Sequence, residues 1–264
     1  MIPLYDINPT RRFAWVTVVI ILLNVGAFLL WQPTFGSAAS QEQFLLCHAE
    51  IPYEVTHHTS LAHGGDAAVL ELESDYHLDE QQAAEVQAAL GQVCPDKNWV
   101  LSVFEAMFLH GGWLHIAGNM LFLWIFGNNV EDRLGRVRFV IFYLLGGLAA
   151  AALEVAAGPN STVPSLGASG AIAAILGSYL VMFPRARVKT LVFFLILDLR
   201  AEFVLLAWFV LQLFNGLNQL GTSVAGGVAY WAHIGGFVFG VLATLVLVRR
   251  QQGPSPPWRG WSPS

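Results

Sequence analysis

The stretch Trp113-Leu-His115-Ile-Ala-Gly-Asn119-Met-Leu-Phe-Leu-Trp-Ile-Phe-Gly-Asn128 decides how the chain is read. It is apolar over a length that suits a crossing of roughly 30 Å of hydrocarbon. Yet it carries an imidazole and a carboxamide four residues apart, on one face of a helix. Such groups are costly inside a bilayer and mark function or interhelical hydrogen bonds. The rest of the chain agrees with a membrane protein: of 264 residues 55% are apolar and 12% charged, and the mean hydropathy is +0.56. With 13 Lys plus Arg against 18 Asp plus Glu the net charge is −5, which excludes a basic field for nucleic acid. Two cysteines can make neither a disulfide framework nor a Cys₄ zinc site.

Working outward, apolar stretches of spanning length also fall at about 13–31, 137–157, 167–183, 203–219 and 228–248, which predicts an all-α, six-span helical bundle. The first reads as an anchor rather than a cleaved signal, since no small-residue cleavage site follows it closely. Thr190 to Leu197 is too short to cross and reads as an interfacial segment. Twelve of the 13 basic residues lie on one side of these spans, and only Lys97 lies on the other. The positive-inside rule then makes both termini cytoplasmic, in a plasma membrane of bacterial type. The chain divides into a cytoplasmic N-terminus (1–12), a first span (13–31), an acidic extracytoplasmic loop (32–107), a core (108–250) and a disordered tail (251–264). Within the loop, Asp79 to Val93 reads as an amphipathic helix with Ala84, Val86, Ala89 and Leu90 available for burial. Cys47 and Cys94 share that loop, and a bridge and two free thiols are equally compatible with the sequence.

Three spans running in the same direction carry the polar residues: His115 and Asn119 on the second, Ser169 on the fourth and His233 on the sixth. All lie within about two turns of the extracytoplasmic ends, hence at one depth. Gly170, Ala174 and Ser178 on span 4, with Gly236 and Gly240 on span 6, form small-residue faces that let two helices approach closely. A serine hydroxyl needs a base within hydrogen-bonding reach, and His233 is that candidate. Asn119, His115 and the backbone N–H of Ser169 are candidate donors to an oxyanion. No carboxylate in the spans is placed to orient His233, so the arrangement is a dyad. Each residue alone has a bland reading, as a hydroxyl bonded to its own helix or a histidine tying two helices together. His110 reads as structural, and Glu154, near the end of span 3, is assigned no role in catalysis.

These residues carry a resemblance. His110-Gly-Gly-Trp-Leu-His115-Ile-Ala-Gly-Asn119-Met120, then Gly167-Ala-Ser169-Gly170, then Ala232-His233-Ile-Gly-Gly236 resemble, in order and span, the rhomboid intramembrane serine proteases, from about Trp99 to Val248. The resemblance implies Ser169 as nucleophile, His233 as base, and His115 and Asn119 as oxyanion stabilisers. It implies cleavage of single-pass or other transmembrane proteins in or near their membrane segment, in a water-filled cavity open to the extracytoplasmic side, without cofactor or metal. Val130-Glu-Asp-Arg133-Leu-Gly135 looks like the family's loop after this span and reads as structural. By the same resemblance Phe203 to Gly227 admits substrate, with Gly216, Gly221, Gly226 and Gly227 as hinges. Two departures stand out: Ala173 replaces an aromatic that in some members stacks on the histidine, leaving His233 to be positioned by another ring such as Trp231 or Tyr230 or to be held less firmly, and the long first loop lacks the Trp-Arg pair of many bacterial members.

Among alternatives, a rhomboid-like protein that binds clients without cutting them typically lacks the serine or histidine, and both are present. A transporter would continue its polar path, whereas span 2 proceeds through Leu121, Phe122, Leu123, Trp124 and Ile125. The chain has no His-Glu-x-x-His, no Gly-x-Gly-Asp, and no G-x-S-x-G elbow.

Overall fold

The computed structural model describes residues 1–219 and 228–250; the tail from Gln251 and the hinge glycines Gly221, Gly226 and Gly227 lie outside them. The elements in chain order are β1 (Ile2–Ile7), α1 (Trp15–Gly26), α2 (Ala38–His48), α3 (Pro52–His57), α4 (Gly65–Tyr76), α5 (Glu80–Val93), α6 (Trp99–Ala106), α7 (Trp113–Phe122), α8 (Asn128–Leu134), α9 (Arg136–Ala157), α10 (Ser169–Met182), β2 (Arg187–Val192), β3 (Leu195–Arg200), α11 (Ala201–Gln219) and α12 (Tyr230–Arg250). A π-helical turn extends α1 to Trp31, and a second joins α7 to α8 over Leu123–Gly127.

Helix α10 lies at the centre because it has no polar face: every residue from Gly170 to Tyr179 is buried. Against it packs α12, along a seam where the chains meet backbone to backbone. A Cβ on Gly236 would collide with the carbonyl oxygen of Gly170, and one on Gly240 with that of Ala174. Farther along, Thr244 Oγ1 donates to Ser178 Oγ at 2.8 Å, so the two hydroxyls satisfy each other where both are buried. Helix α9 closes the other side of α12, and a Cβ on Gly235 would stand 2.9 Å from the carbonyl oxygen of Ala149.

Among the described residues three helices are long and apolar enough to cross a membrane: Arg136–Ala157, Ala201–Gln219 and Tyr230–Leu247. The remaining expected spans are made of shorter pieces, Trp15–Trp31, Ser169–Met182, and the α7–α8 path broken by its π-turn. Glu131, in a stretch expected as a loop that is instead helix α8, is buried and accepts from Val16 N (3.0 Å), Thr17 N (2.7 Å) and Thr17 Oγ1 (2.8 Å). It thereby supplies α1 with the N-terminal acceptor that its own Ala14 cannot offer.

The fold is mostly helical rather than all-α. Thr190 to Leu197, too short to cross, is part of an antiparallel β2–β3 hairpin, to which β1 adds a third strand. Burial of Val188 and Thr190 at alternate positions gives β2 the period of a strand. Asp6 then ties this sheet to the bundle, accepting from Asn129 Nδ2 at 2.7 Å and Tyr179 OH at 2.8 Å.

Residues 32–98 form a helical cap with its own apolar cluster, which includes Ile51, Tyr53, Leu61, Leu72, Ala83 and Leu90. The expected helix over Asp79 to Val93 is α5, opened by a capping box between Asp79 and Gln82. Its buried face is Ala83 and Leu90, with Ala84, Val86 and Ala89 exposed. Gln87 sits on the inner face, where its amide donates to the carbonyls of Leu61 and Gly65, both at 3.0 Å, so hydropathy alone places Leu90 correctly and misplaces Ala84, Val86 and Ala89. Cys47 and Cys94 are bridged. Closing a loop over a sequence separation of 47 removes denatured-state entropy worth about 4 kcal/mol in the chain-entropy picture. Lys97, the basic residue on the far side of the charge pattern, is buried in a 2.7 Å pair with Glu54.

The cap docks on the segment that leads into α10. Glu50 and Ser165 exchange two backbone hydrogen bonds (3.1 and 2.7 Å), Tyr53 N donates to Ser161 O at 2.9 Å, and Asp75 Oδ2 accepts from both Thr162 N (2.6 Å) and Thr162 Oγ1 (2.8 Å). At this junction burial, with Glu154 nearby, pushes the Glu50 carboxyl up to about 8. A folded-state value above the ordinary 4.5 means that the folded chain binds more protons than the unfolded one between the two, so stability falls as pH rises through that window. Glu50→Gln should therefore flatten the decline of melting temperature between about pH 5 and pH 8; an unchanged slope in detergent-purified protein would show that Glu50 is not its source.

Candidate active site

Ser169 is the first residue of α10, so its backbone N–H is among those a helix leaves without an internal partner. The turn before it depends on Gly167. Its φ of +123° is open to glycine, and a Cβ there would stand 2.9 Å from His115 Nε2 and 3.5 Å from Ser169 Oγ. The imidazole and the hydroxyl thus approach the same space, which the missing side chain leaves free. Gly167 N donates to Ala106 O at 2.8 Å, so α6 holds this turn from below.

His115 Nδ1 accepts from Gly111 N at 3.2 Å. A nitrogen that accepts carries no proton in the neutral ring, which leaves Nε2–H as the donor beside Gly167 and Ser169. One turn later on α7, Asn119 is 7% exposed, and its Nδ2 has no hydrogen-bond partner among the described residues. His110 stands apart: Gln32 fixes its backbone by two 3.0 Å hydrogen bonds, and its ring packs against those of Phe28 and His115.

His233 lies in the first turn of α12, three residues before Gly236 of the seam, and Ser169 lies one residue before Gly170 on the opposite side. The seam therefore brings the two ends of α10 and α12 together. Glu154 Oε2 accepts from Ala232 N at 2.8 Å, which caps the start of α12 with an acceptor from α9. The ring of His233 is held by α11: Gln212 Oε1 lies 2.7 Å from Nδ1, and the Trp208 ring centroid is 5.7 Å away, tilted by 38°. Neither Tyr230 nor Trp231 takes the place expected of them beside this ring. The in-plane partner Gln212 is absent from the sequence-derived set, although a strongly polar residue within Trp208-Phe-Val-Leu-Gln212-Leu-Phe214 was the signal that could have found it.

His115, Asn119, Ser169 and His233 line one cavity of about 880 Å³. Its walls are mostly apolar, with Leu114, Phe122, Ile172, Leu176 and Trp208 from the bundle. The cap contributes Glu42, Leu45, Leu46 and Tyr76, so this cavity is roofed by the segment whose role sequence alone leaves unread. A hydroxyl, an imidazole with its distal nitrogen uncommitted, and fixed N–H donors in an apolar cavity can carry out acyl transfer. Among the described residues no group of three or more His, Cys, Asp or Glu side chains is arranged to hold a metal ion.

A family model for the Rhomboid domain matches residues 97–250, more than half of the chain. The chain is similar to "Rhomboid protein 1, mitochondrial" of Saccharomyces cerevisiae, 31% identical over 147 residues, which are 54% of this chain and 40% of that protein. It is also similar to "Presenilin-associated rhomboid-like protein A, mitochondrial" of Danio rerio, 30% identical over 154 residues (55% and 37%). With "RHOMBOID-like protein 4" of Arabidopsis thaliana the identity is 32% over 166 residues (63% and 36%). The chain thus spans well under half the length of these relatives. The charge pattern points to a bacterial plasma membrane with cytoplasmic termini, and relatives named as mitochondrial overturn that placement. Charge asymmetry reads orientation relative to a membrane, not which membrane it is. The family itself is plain from the match over the core and from the motifs gathered around the cavity: the chain belongs to the rhomboid family.

Proposed function

We propose that this chain is an intramembrane serine endopeptidase that cuts transmembrane proteins within or near their membrane segment, with Ser169 as nucleophile and His233 as base. The observation that carries the reading is the set of contacts around one cavity: His115 Nδ1 accepts from Gly111 N, which leaves Nε2 beside the space at Gly167 that Ser169 Oγ also borders, and His233 Nδ1 lies 2.7 Å from Gln212 Oε1. His233 Nε2 is then free to take the hydroxyl proton as Ser169 Oγ attacks a peptide carbonyl. The oxyanion that forms is met by His115 Nε2–H, the Asn119 amide and the Ser169 backbone N–H. Collapse of the tetrahedral intermediate breaks the C–N bond, and His233 returns the proton to the leaving amine. Water, activated by the same base, then hydrolyses the ester, and Ser169 is restored.

In this reading the chain crosses the membrane six times, with the shorter segments 13–31, 113–128 and 167–183 counted as spans beside the three long helices. Water enters from the side that carries the cap, and the bilayer supplies substrates as membrane-embedded helices. No cofactor, metal or nucleic acid takes part. A client-binding relative without proteolysis is distinguished from this reading by the reactivity of the serine.

A fluorophosphonate probe should label the detergent-purified protein, and Ser169→Ala and His233→Ala should each abolish labelling while the protein stays folded. Labelling that survives Ser169→Ala would remove the nucleophile assignment; a folded wild type that stays unlabelled while a control hydrolase reacts would favour the client-binding protein. Asn119→Ala should slow cleavage of a transmembrane reporter by about 10²-fold if the amide donates to the oxyanion, and an unchanged rate would take Asn119 out of that role.

A further inference from the structure

We infer that Gln212 of α11 is a positioning residue for His233, the third member of a Ser169–His233–Gln212 relay in which a carboxamide stands where serine hydrolases commonly place a carboxylate. The inference rests on the proposed function and adds to it a residue outside the sequence motifs. Helix α11 presents its side-chain oxygen to His233 Nδ1 at 2.7 Å. An amide oxygen only accepts, so the imidazole must donate from Nδ1 and keep its lone pair at Nε2. That is the tautomer a base needs if it is to receive a proton from Ser169. The opposite tautomer would put N–H toward the serine, and the Gln212 carboxamide would have to turn over to present its NH₂ to Nδ1 in place of the oxygen that faces the ring.

Rotation of the ring is limited by a second contact from the same helix. Trp208, one turn before Gln212, lies against the imidazole with a centroid distance of 5.7 Å. Helix α11 therefore supplies both an in-plane acceptor and an aromatic wall, in a chain that has Ala173 on the neighbouring α10. Among the described residues, the other titratable side chains on the cavity wall are His115, Glu42 and Tyr76, and none of the ion pairs involves His233. A carboxamide orients the ring without adding the charge that would raise its basicity.

The test compares fluorophosphonate labelling rates across pH for wild type, Gln212→Leu, Gln212→Glu and Ser169→Ala, with the resting His233 tautomer read by ¹⁵N NMR of histidine-labelled protein. Gln212→Leu should slow labelling by about 10- to 100-fold, at or below the low end of what a well-placed base contributes, and should move His233 away from the Nδ1–H form. Gln212→Glu retains the acceptor, so it should recover most of the rate and shift the acidic limb of the pH profile upward, because a carboxylate stabilises the imidazolium. A folded Gln212→Leu protein that labels at the wild-type rate with the same pH profile and tautomer would overturn the inference and leave Ser169 and His233 in place. An unlabelled wild type would instead overturn the proposed function together with the relay, and the two failures are thereby distinguished.

Discussion

The close approach of α10 and α12 is the constraint on which the rest of the structure depends. Two helices can touch through their backbones only where side chains are absent, and Gly236 and Gly240 face the carbonyl oxygens of Gly170 and Ala174 with no room for a Cβ. The contact costs nothing in buried polar groups, since those carbonyls belong to helical hydrogen bonds and the Ser178 and Thr244 hydroxyls pair with each other. Because Ser169 and His233 lie at the same end of this seam, its register decides whether a hydroxyl and an imidazole line one cavity or two separate helix surfaces.

Around that seam, the turns that carry the site and the His233 ring are held by acceptors from other helices. Helix α9 caps the start of α12 through Glu154, α6 holds the turn at Gly167, and α11 engages His233 through Gln212. The cap adds a further layer, pinning residues 161–165 just before Ser169 and supplying part of the cavity wall. A fixed environment of this kind costs little reorganisation when charge develops during a reaction.

Much of this was legible in the sequence, for a physical reason: polar residues in apolar helices are few enough to be read one by one. His115, Asn119, Ser169 and His233 line the same cavity, and the small residues flanking Ser169 and His233 are those that meet across the seam. What escaped reading depends on partners far away in the chain. Strand β1 pairs with β2 across more than half of the chain, so the hairpin around Thr190 to Leu197 had no local signal strong enough to separate it from an interfacial segment. In the cap, the decisive elements are a disulfide, a buried Lys97–Glu54 pair and a hydrogen-bonded Gln87 facing inward, and none of these follows from hydrophobic periodicity. Gln212 differs from these, since the rule that flagged the other intramembrane polar groups applies to it equally.

The central claim, that Ser169 and His233 act as one nucleophile and base pair, is tested most directly by peptide mapping after reaction with a peptidyl chloromethyl ketone. The account predicts a doubly attached inhibitor, its ketone carbon bonded to Ser169 Oγ as a hemiketal and its methylene alkylating His233 Nε2 with loss of chloride. The hemiketal reverts on denaturation, so mapping should find the alkyl group on the tryptic fragment that contains His233, and Ser169→Ala should abolish that alkylation. Folded protein that forms no adduct, or one attached elsewhere than at this pair, would contradict it.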